Sequence, residues 1–306
     1  MKDVLIIGAG PAGLSAAIYV QRAGKSAMCL EALTVGGQIV NTPEIQNYPG
    51  IKKTSGFEFS MALFEQATEL GAEIVYEKAV KIEDSPSENG KPIYKVTTPS
   101  GKEFEARAVI IATGAKNRHL GIAREEELLG KGISYCATCD GAFFKGKDVA
   151  VNGGGNTALE DALFLSNYCN KVYIIHRRDQ FRGEPKNLEA LKDKENIEYV
   201  LDSTVEELKG DKALEAVVVK NKLTQETKEI PVSGLFIAIG QEPDNNDFSS
   251  VAELDDKGYI ISDESCTLSG NGIFVAGDCR TKKVRQLTTA ASDGAVAALA
   301  ACEYIA

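Results

Sequence analysis

Apolar residues along this chain fall into short continuous runs closed by glycine, and the same order of runs occurs twice. Residues 3–7 (DVLII) form a run suited to a strand buried on both faces. Gly8-Ala9-Gly10-Pro11-Ala12-Gly13 follows, then an Ala-rich helical stretch over 14–23, then a second strand over 26–30 that ends on Glu31. Near the middle of the chain, 147–152 reads as a strand. It is followed by Gly153-Gly154-Gly155-Asn156-Thr157-Ala158, helical spacing over 159–168, and a strand over 171–175 that ends on His176-Arg177-Arg178. A second echo matches Val109-Ile110-Ile111-Ala112-Thr113-Gly114 with Leu235-Phe236-Ile237-Ala238-Ile239-Gly240. Between these landmarks, 76–108 and 199–234 alternate apolar and polar residues and are punctuated by turns, which predicts a three-stranded excursion in each repeat.

The tail belongs to neither repeat. One strand over 272–276 and an Ala-rich helix over 288–304 cannot form a core alone, so they are expected to return to the first module. The predicted fold is α/β, with two Rossmann-like three-layer (ββα/βαβ) nucleotide-binding domains. Residues 1–114 and 241–306 form the first domain, and 115–240 form the second, inserted into it.

Composition narrows the field. The chain has 306 residues and a formal net charge of −10. An acidic protein without a basic stripe does not suit nucleic acid. No apolar run approaches the ~18 residues a membrane span needs. The first strand begins almost at the initiator Met with no basic or apolar leader, so a cytoplasmic location is expected. Five of the seven cysteines (Cys29, Cys169, Cys266, Cys279, Cys302) are isolated and read as small buried thiols. Cys136 and Cys139 alone form a close pair.

The two glycine turns differ where it matters. In the first, the glycines allow a tight turn and close approach of a pyrophosphate to a helix N-terminus. Glu31 lies where a carboxylate accepts hydrogen bonds from a ribose 2′-hydroxyl. In the second, Ala158 replaces the third glycine. Arg177 stands at the position matching Glu31, flanked by His176, Arg178 and Arg182. Guanidinium forks pair with phosphate, so this turn favours a 2′-phosphate. The first site therefore fits FAD and the second NADPH, with hydride transfer between nicotinamide and flavin.

A Cys-x-x-Cys pair supports thiol–disulfide exchange when one thiolate is stabilised. A zinc half-site and two inert thiols are the alternatives. Zinc needs four ligands, there is no second such pair, and the only histidines are His119 and His176. Asp140, next in sequence, either serves as the acid for a departing thiolate or caps the turn before Gly141. Phe143 and Phe144 suit a docking surface or the core equally.

Taken together, GAGPAG (8–13), GGQ (36–38), ATG (112–114), CATCD (136–140), GGGNTALE (153–160), HRRDQFR (176–182), AGD (276–278) and RQ (285–286) resemble the low-molecular-weight bacterial thioredoxin reductases, flavoproteins of the pyridine-nucleotide disulfide oxidoreductase group. The resemblance runs from end to end. It implies a homodimer that binds FAD and NADPH and reduces thioredoxin. It makes Cys136 and Cys139 the redox-active disulfide and Asp140 its acid/base. Gly8, Gly10, Pro11, Ala12, Gly13, Glu31, Gly36, Gly37, Gln38, Asn47, Thr113, Gly114, Gly277, Asp278, Arg285, Gln286 and Leu287 would hold FAD. Gly153, Gly155, Asn156, Thr157, Ala158, Glu160, His176, Arg177, Arg178 and Arg182 would hold NADPH. In this group the NADPH domain rotates against the FAD domain, which here would turn on connections near 114–118 and 240–244. Three details depart from a smooth pattern: Asn152 in an apolar strand, Gly183-Glu184-Pro185 where a helix is due, and Ala142 before the two phenylalanines. Related readings keep the chemistry with another thiol protein as partner, or make the chain an NADPH oxidase or ferredoxin-type reductase with idle cysteines.

Overall fold

A computed structural model describes residues 1–42, 44–85, 90–268 and 272–306, and it divides the chain into two compact units. One unit comprises 1–116 and 242–306, and the other 117–241. The chain passes between them through two short strands, Ala115–Asn117 and Gln241–Pro243.

The first unit is built on a sheet in which strands Ile273–Val275, Glu103–Ile111, Lys2–Ile7, Ala27–Leu30 and Glu73–Val75 lie side by side and parallel, with Thr267–Leu268 antiparallel at one edge. Ile7 pairs with Leu30 on one side and with Ile111 on the other, so the first glycine turn leaves the sheet from its central strand. Lys81–Ser85 and Ile93–Thr97 form an antiparallel hairpin against Glu103–Ile111. The loop expected between them includes 86–89, outside the described residues. In the tail, Ile273–Val275 joins this sheet, and the helix Leu287–Tyr304 packs along the helix Pro11–Arg22. Small residues make that approach possible, and Ser15 Oγ donates to the carbonyl of Ala291 across it at 2.7 Å.

The second unit repeats the plan. Strands Ile197–Val200, Lys171–Ile175, Asp148–Asn152, Gly234–Ile237 and Ile133–Ser134 form a parallel sheet. Ser203–Lys209, Ala216–Asn221 and Thr227–Pro231 form a separate antiparallel sheet, the predicted excursion, with a bulge between Val205 and Glu207. Both glycine motifs give residues to their helices. These run over Pro11–Arg22 and Asn156–Ser166, and so begin about a turn earlier than their apolar spacing suggests. Pro11 occupies the first helical turn, where its missing N–H is no loss. Pro185 does the same for the helix Pro185–Lys192, so Gly183-Glu184-Pro185 starts a helix rather than preventing one. Among the described residues, no helix is long and apolar enough to cross a membrane.

Candidate active site

The first glycine turn is built for close contact. A Cβ on Gly13 would lie 1.9 Å from the carbonyl oxygen of Gly8, so only glycine allows the helix to start against the strand end. Gly10 is the N-cap of that helix and supplies no capping side chain, which leaves the first backbone N–H groups for a ligand. Glu31 is buried, and its two oxygens accept from the amides of Ala9 and Leu33, each at 2.8 Å. The carboxylate thus fixes the turn, and each oxygen keeps a lone pair for a ribose hydroxyl. The amide of Gly36 donates to Ala9 O at 2.8 Å, which brings Gly36 and Gly37 against the turn.

Other residues of the same unit complete the cradle. Asp278 follows Gly277 at the end of Ile273–Val275. Its Oδ1 is buried with no hydrogen-bond partner, and burial pushes its pKa up. An orphaned buried acceptor is costly, so this oxygen is open to a donor from outside the protein. Arg285 donates to the carbonyls of Asp278, Lys282 and Arg280 and lies 4.0 Å over the Tyr259 ring. Asn47 Nδ2 donates to Gln286 Oε1 at 3.2 Å, and Gln38 Nε2 donates to Ala115 O. Gln286 caps the last helix, and Leu287 is its first residue. Thr113, beside Gly114, donates to Asn245 Oδ1 at 2.8 Å. Asn245 is buried and donates in turn to Gly258 O and Cys279 O. Sequence reading missed Asn245 because nothing local marks it. Its role depends on contacts with residues far along the chain.

The second turn carries positive charge. Gly155 caps the helix Asn156–Ser166 without a side-chain bond, Ala158 is fully buried behind it, and Thr157 and Glu160 are exposed. Asn156 Oδ1 accepts from the amide of Glu184 at 2.6 Å, and the amide of Gly153 donates to Ile175 O. Arg177, Arg178 and Arg182 are exposed and form no ion pair among the described residues, an arrangement suited to an anion. His176 differs from these arginines. Its ring is buried, stacks on Phe181 and places Nε2 3.2 Å from Gln180 O. Burial, together with the neighbouring arginines, holds it below its ordinary pKa. A Cβ on Gly154 would meet that ring at 2.2 Å, so His176 supports the turn from beneath.

Cys136 and Cys139 form a disulfide with their Cα atoms 5.3 Å apart. Both are half-buried; Cys136 is the N-cap of the four-residue helix Ala137–Asp140, and Cys139 is the third residue of that helix. Asp140 is half-buried, and desolvation raises its pKa against the hydrogen bond from Ser134 that lowers it. Its Oδ2 accepts from Ser134 Oγ at 2.6 Å, while Oδ1 has no partner. Asp140 does not cap the turn, since it makes no side-chain bond to the following 3-10 turn. Phe143 is exposed, whereas Phe144 packs edge-on against Phe236. The other five thiols are not paired. Burial pushes the Cys29 thiol up to about 12, with Glu31 adding to it. Burial likewise pushes Cys266 up to about 12 and Cys169 to about 11, and it raises Cys279 and Cys302.

A family model described as pyridine nucleotide-disulphide oxidoreductase matches residues 2–294. The chain belongs to that family. Among curated members, it is 44% identical over 313 residues to a thioredoxin reductase of Helicobacter pylori, covering all of this chain and 99% of that one. It is 42% identical over 304 residues to one of Listeria monocytogenes, covering 99% and 93%. A solved thioredoxin reductase of Streptococcus pyogenes superposes with a TM-score of 0.92 at 38% identity, covering 99% of this chain and 98% of that one. The family's members use FAD and a nicotinamide nucleotide, and the two turns described above suit those groups. This oxidoreductase chain keeps the disulfide and both nucleotide turns along its full length.

Proposed function

We propose that this chain is an NADPH-dependent flavoprotein that reduces the disulfide of thioredoxin. The observation that carries the reading is the half-buried Cys136–Cys139 disulfide followed by Asp140. It lies on a unit whose nucleotide turn offers three unpaired arginines, while the other unit presents a turn closed by a buried carboxylate. Bound flavin would accept a hydride from the nicotinamide and pass two electrons to the disulfide.

The chain's own residues then have distinct tasks. Gly8, Gly10, Pro11, Ala12 and Gly13 bring backbone N–H groups to the pyrophosphate, and Glu31 accepts from the ribose. Asp278 accepts from the hydroxylated chain of the flavin. Gly36, Gly37, Gln38, Asn47, Thr113, Gly114, Arg285, Gln286 and Leu287 line the same cradle. In the other unit, Gly153, Gly155, Asn156, Thr157 and Ala158 receive the second pyrophosphate, with Glu160 at the adjacent helical turn. Arg177, Arg178 and Arg182 take the 2′-phosphate, and His176 holds their strand end. Asp140 protonates the thiolate that leaves when a disulfide is cleaved. The cysteines and the NADPH turn share one unit and the flavin turn lies on the other. Turnover therefore requires one unit to move against the other about the connections near 114–118 and 240–244.

A homodimer in the cytoplasm is part of this proposal, and the thioredoxin reductases named above support the choice of partner. The test is NADPH oxidation by purified, yellow protein with and without thioredoxin. Thioredoxin-dependent oxidation that disappears in Cys136→Ser, with the flavin spectrum retained, is the expected result. Full NADPH oxidation by that variant would replace the proposal with an oxidase.

A further inference from the structure

Asp140 is a poor acid unless something holds its carboxyl in place, because the helix that carries it is a single turn. That support comes from the strand before the cysteines. Ser134 ends the short strand Ile133–Ser134, which pairs with Gly234–Ile237, and it is 2% exposed. Its hydroxyl donates to Asp140 Oδ2 at 2.6 Å and accepts from the amide of Cys136 at 3.0 Å. Tyr135, between them, is anchored on the opposite side: its hydroxyl donates to Glu125 Oε1 at 2.7 Å, and the Glu125 carboxylate also accepts from the amides of Leu120 and Gly121. Asp140 Oδ1 is buried and has no partner.

We propose that Ser134 is the positioning residue of the redox centre, binding one carboxyl oxygen of Asp140 and the Cys136 amide at once so that the other oxygen is kept for the proton a leaving thiolate takes up. This rests on the reading of the chain as a thioredoxin-disulfide reductase. In the step concerned, the reduced pair holds one thiolate and one thiol, and Asp140 is protonated. The thiolate attacks the partner's disulfide, a mixed disulfide forms, and the partner's S–S bond breaks. The partner thiolate that leaves takes the Asp140 proton. The second cysteine gives its proton to the Asp140 carboxylate and attacks the mixed disulfide. The Cys136–Cys139 bond forms, and the second partner thiolate leaves with that proton. Two electrons and two protons have passed to the partner, and Asp140 ends ionised. Both transfers need a carboxyl fixed at one place, which a hydrogen bond to its second oxygen provides.

Few other groups can imitate this effect. Tyr168 faces the same turn, its hydroxyl 2.2 Å from where a Cβ on Gly141 would lie. The helix Asn156–Ser166 packs on the short helix and carries Glu160 and Asp161. Burial, with Glu160, pushes Asp161 up to about 7. For Asp140 itself, burial raises the carboxyl pKa and only the Ser134 hydroxyl opposes it, so removing that hydroxyl moves the carboxyl further up.

The experiment uses the flavin-loaded protein and thioredoxin, with ferricyanide reduction by NADPH as the check that each variant is folded and loaded. Ser134→Ala should lower kcat for thioredoxin roughly tenfold with KM unchanged, and it should move the alkaline limb of the kcat profile to higher pH. Ser134→Thr, which keeps the hydroxyl, should restore both. Asp140→Asn should lower kcat roughly a hundredfold, and adding Ser134→Ala to it should cost nothing more. Additive losses in the double variant, or a limb that stays in place, would overturn the proposal. If the unaltered protein fails to reduce thioredoxin, the functional reading fails instead. Ser134 is then judged by the pH dependence of iodoacetamide alkylation of the dithiothreitol-reduced pair, where an identical profile in Ser134→Ala overturns its role.

Discussion

Removing the Asp293 carboxylate should unfold the flavin unit at a markedly lower temperature. Asp293 lies on the last helix and is 5% exposed. It accepts from Arg280 Nε at 2.8 Å and Nη2 at 3.0 Å, from Lys282 Nζ at 2.9 Å, and from the amide of Gly277 at 3.0 Å. Arg280 is fully buried, and its other acidic partner, Glu264, is almost fully exposed and contributes little. Asp293→Ala therefore leaves a guanidinium in the core with no buried counter-charge. Breaking such a pair costs roughly 3–5 kcal/mol, a large share of a total stability of about 5–15 kcal/mol. In a unit of this size, about 2–4 °C is lost per kcal/mol, so Tm should fall by roughly 6–20 °C. The assay is a thermal ramp that follows flavin release by fluorescence, because the Gly277 amide, next to Asp278, loses its acceptor as well. Burial pushes the Asp293 carboxyl up, but Arg280 and Lys282 outweigh it and hold the group below its ordinary range. Its contribution is then present above the unfolded carboxylate pKa and lost as pH falls through the lower folded value, so the gap between the two proteins should close in acid. A Tm within about 3 °C of the unaltered protein at neutral pH would refute the reasoning. Arg280→Met with Asp293→Leu should recover only part of the loss, since it removes the buried guanidinium but leaves the Lys282 ammonium, whose side chain is 4% exposed, without Asp293.

Two further outcomes test the nucleotide turns. Replacing Arg177 and Arg178 with Gln should raise the KM for NADPH roughly tenfold or more while changing that for NADH little, as each lost charge-assisted bond to phosphate is worth about 1.5–3 kcal/mol. Steady-state kinetics with both nucleotides reads this, and equal losses would discredit the 2′-phosphate assignment. Gly13→Ala sets a Cβ 1.9 Å from Gly8 O, so the purified chain should carry little flavin, measured as flavin absorbance per mole of protein.

The fold was legible because its strands are buried on both faces and read as unbroken apolar runs, and because the βαβ plan is written twice. Helix starts were less legible. Glycine and proline weaken helical spacing, yet Pro11 and Pro185 stand where a missing N–H does no harm. The redox pair and the charged strand ends were visible as residue types at fixed spacing. Ser134, Asn245 and the inward turn of His176 were not, because each acts through a partner that only the folded chain supplies. Ser134 lies six residues from Asp140, and Asn245 lies more than a hundred from Thr113. Arg177, Arg178 and His176 share one motif, yet the arginines are exposed and the histidine is buried.

The burial of four unpaired thiols, Cys29, Cys169, Cys266 and Cys279, has a consequence for how the protein withstands the compounds it works among. With a pKa of about 12, Cys29 and Cys266 are thiolates in roughly one molecule in a hundred thousand at neutral pH. Alkylating agents and foreign disulfides react with thiolates, so these two buried thiols offer them little to attack. Reaction then falls first on the pair that the catalytic cycle repeatedly closes. When that pair is a disulfide, it has no thiolate to lose, and between turnovers the resting enzyme is its own protected form.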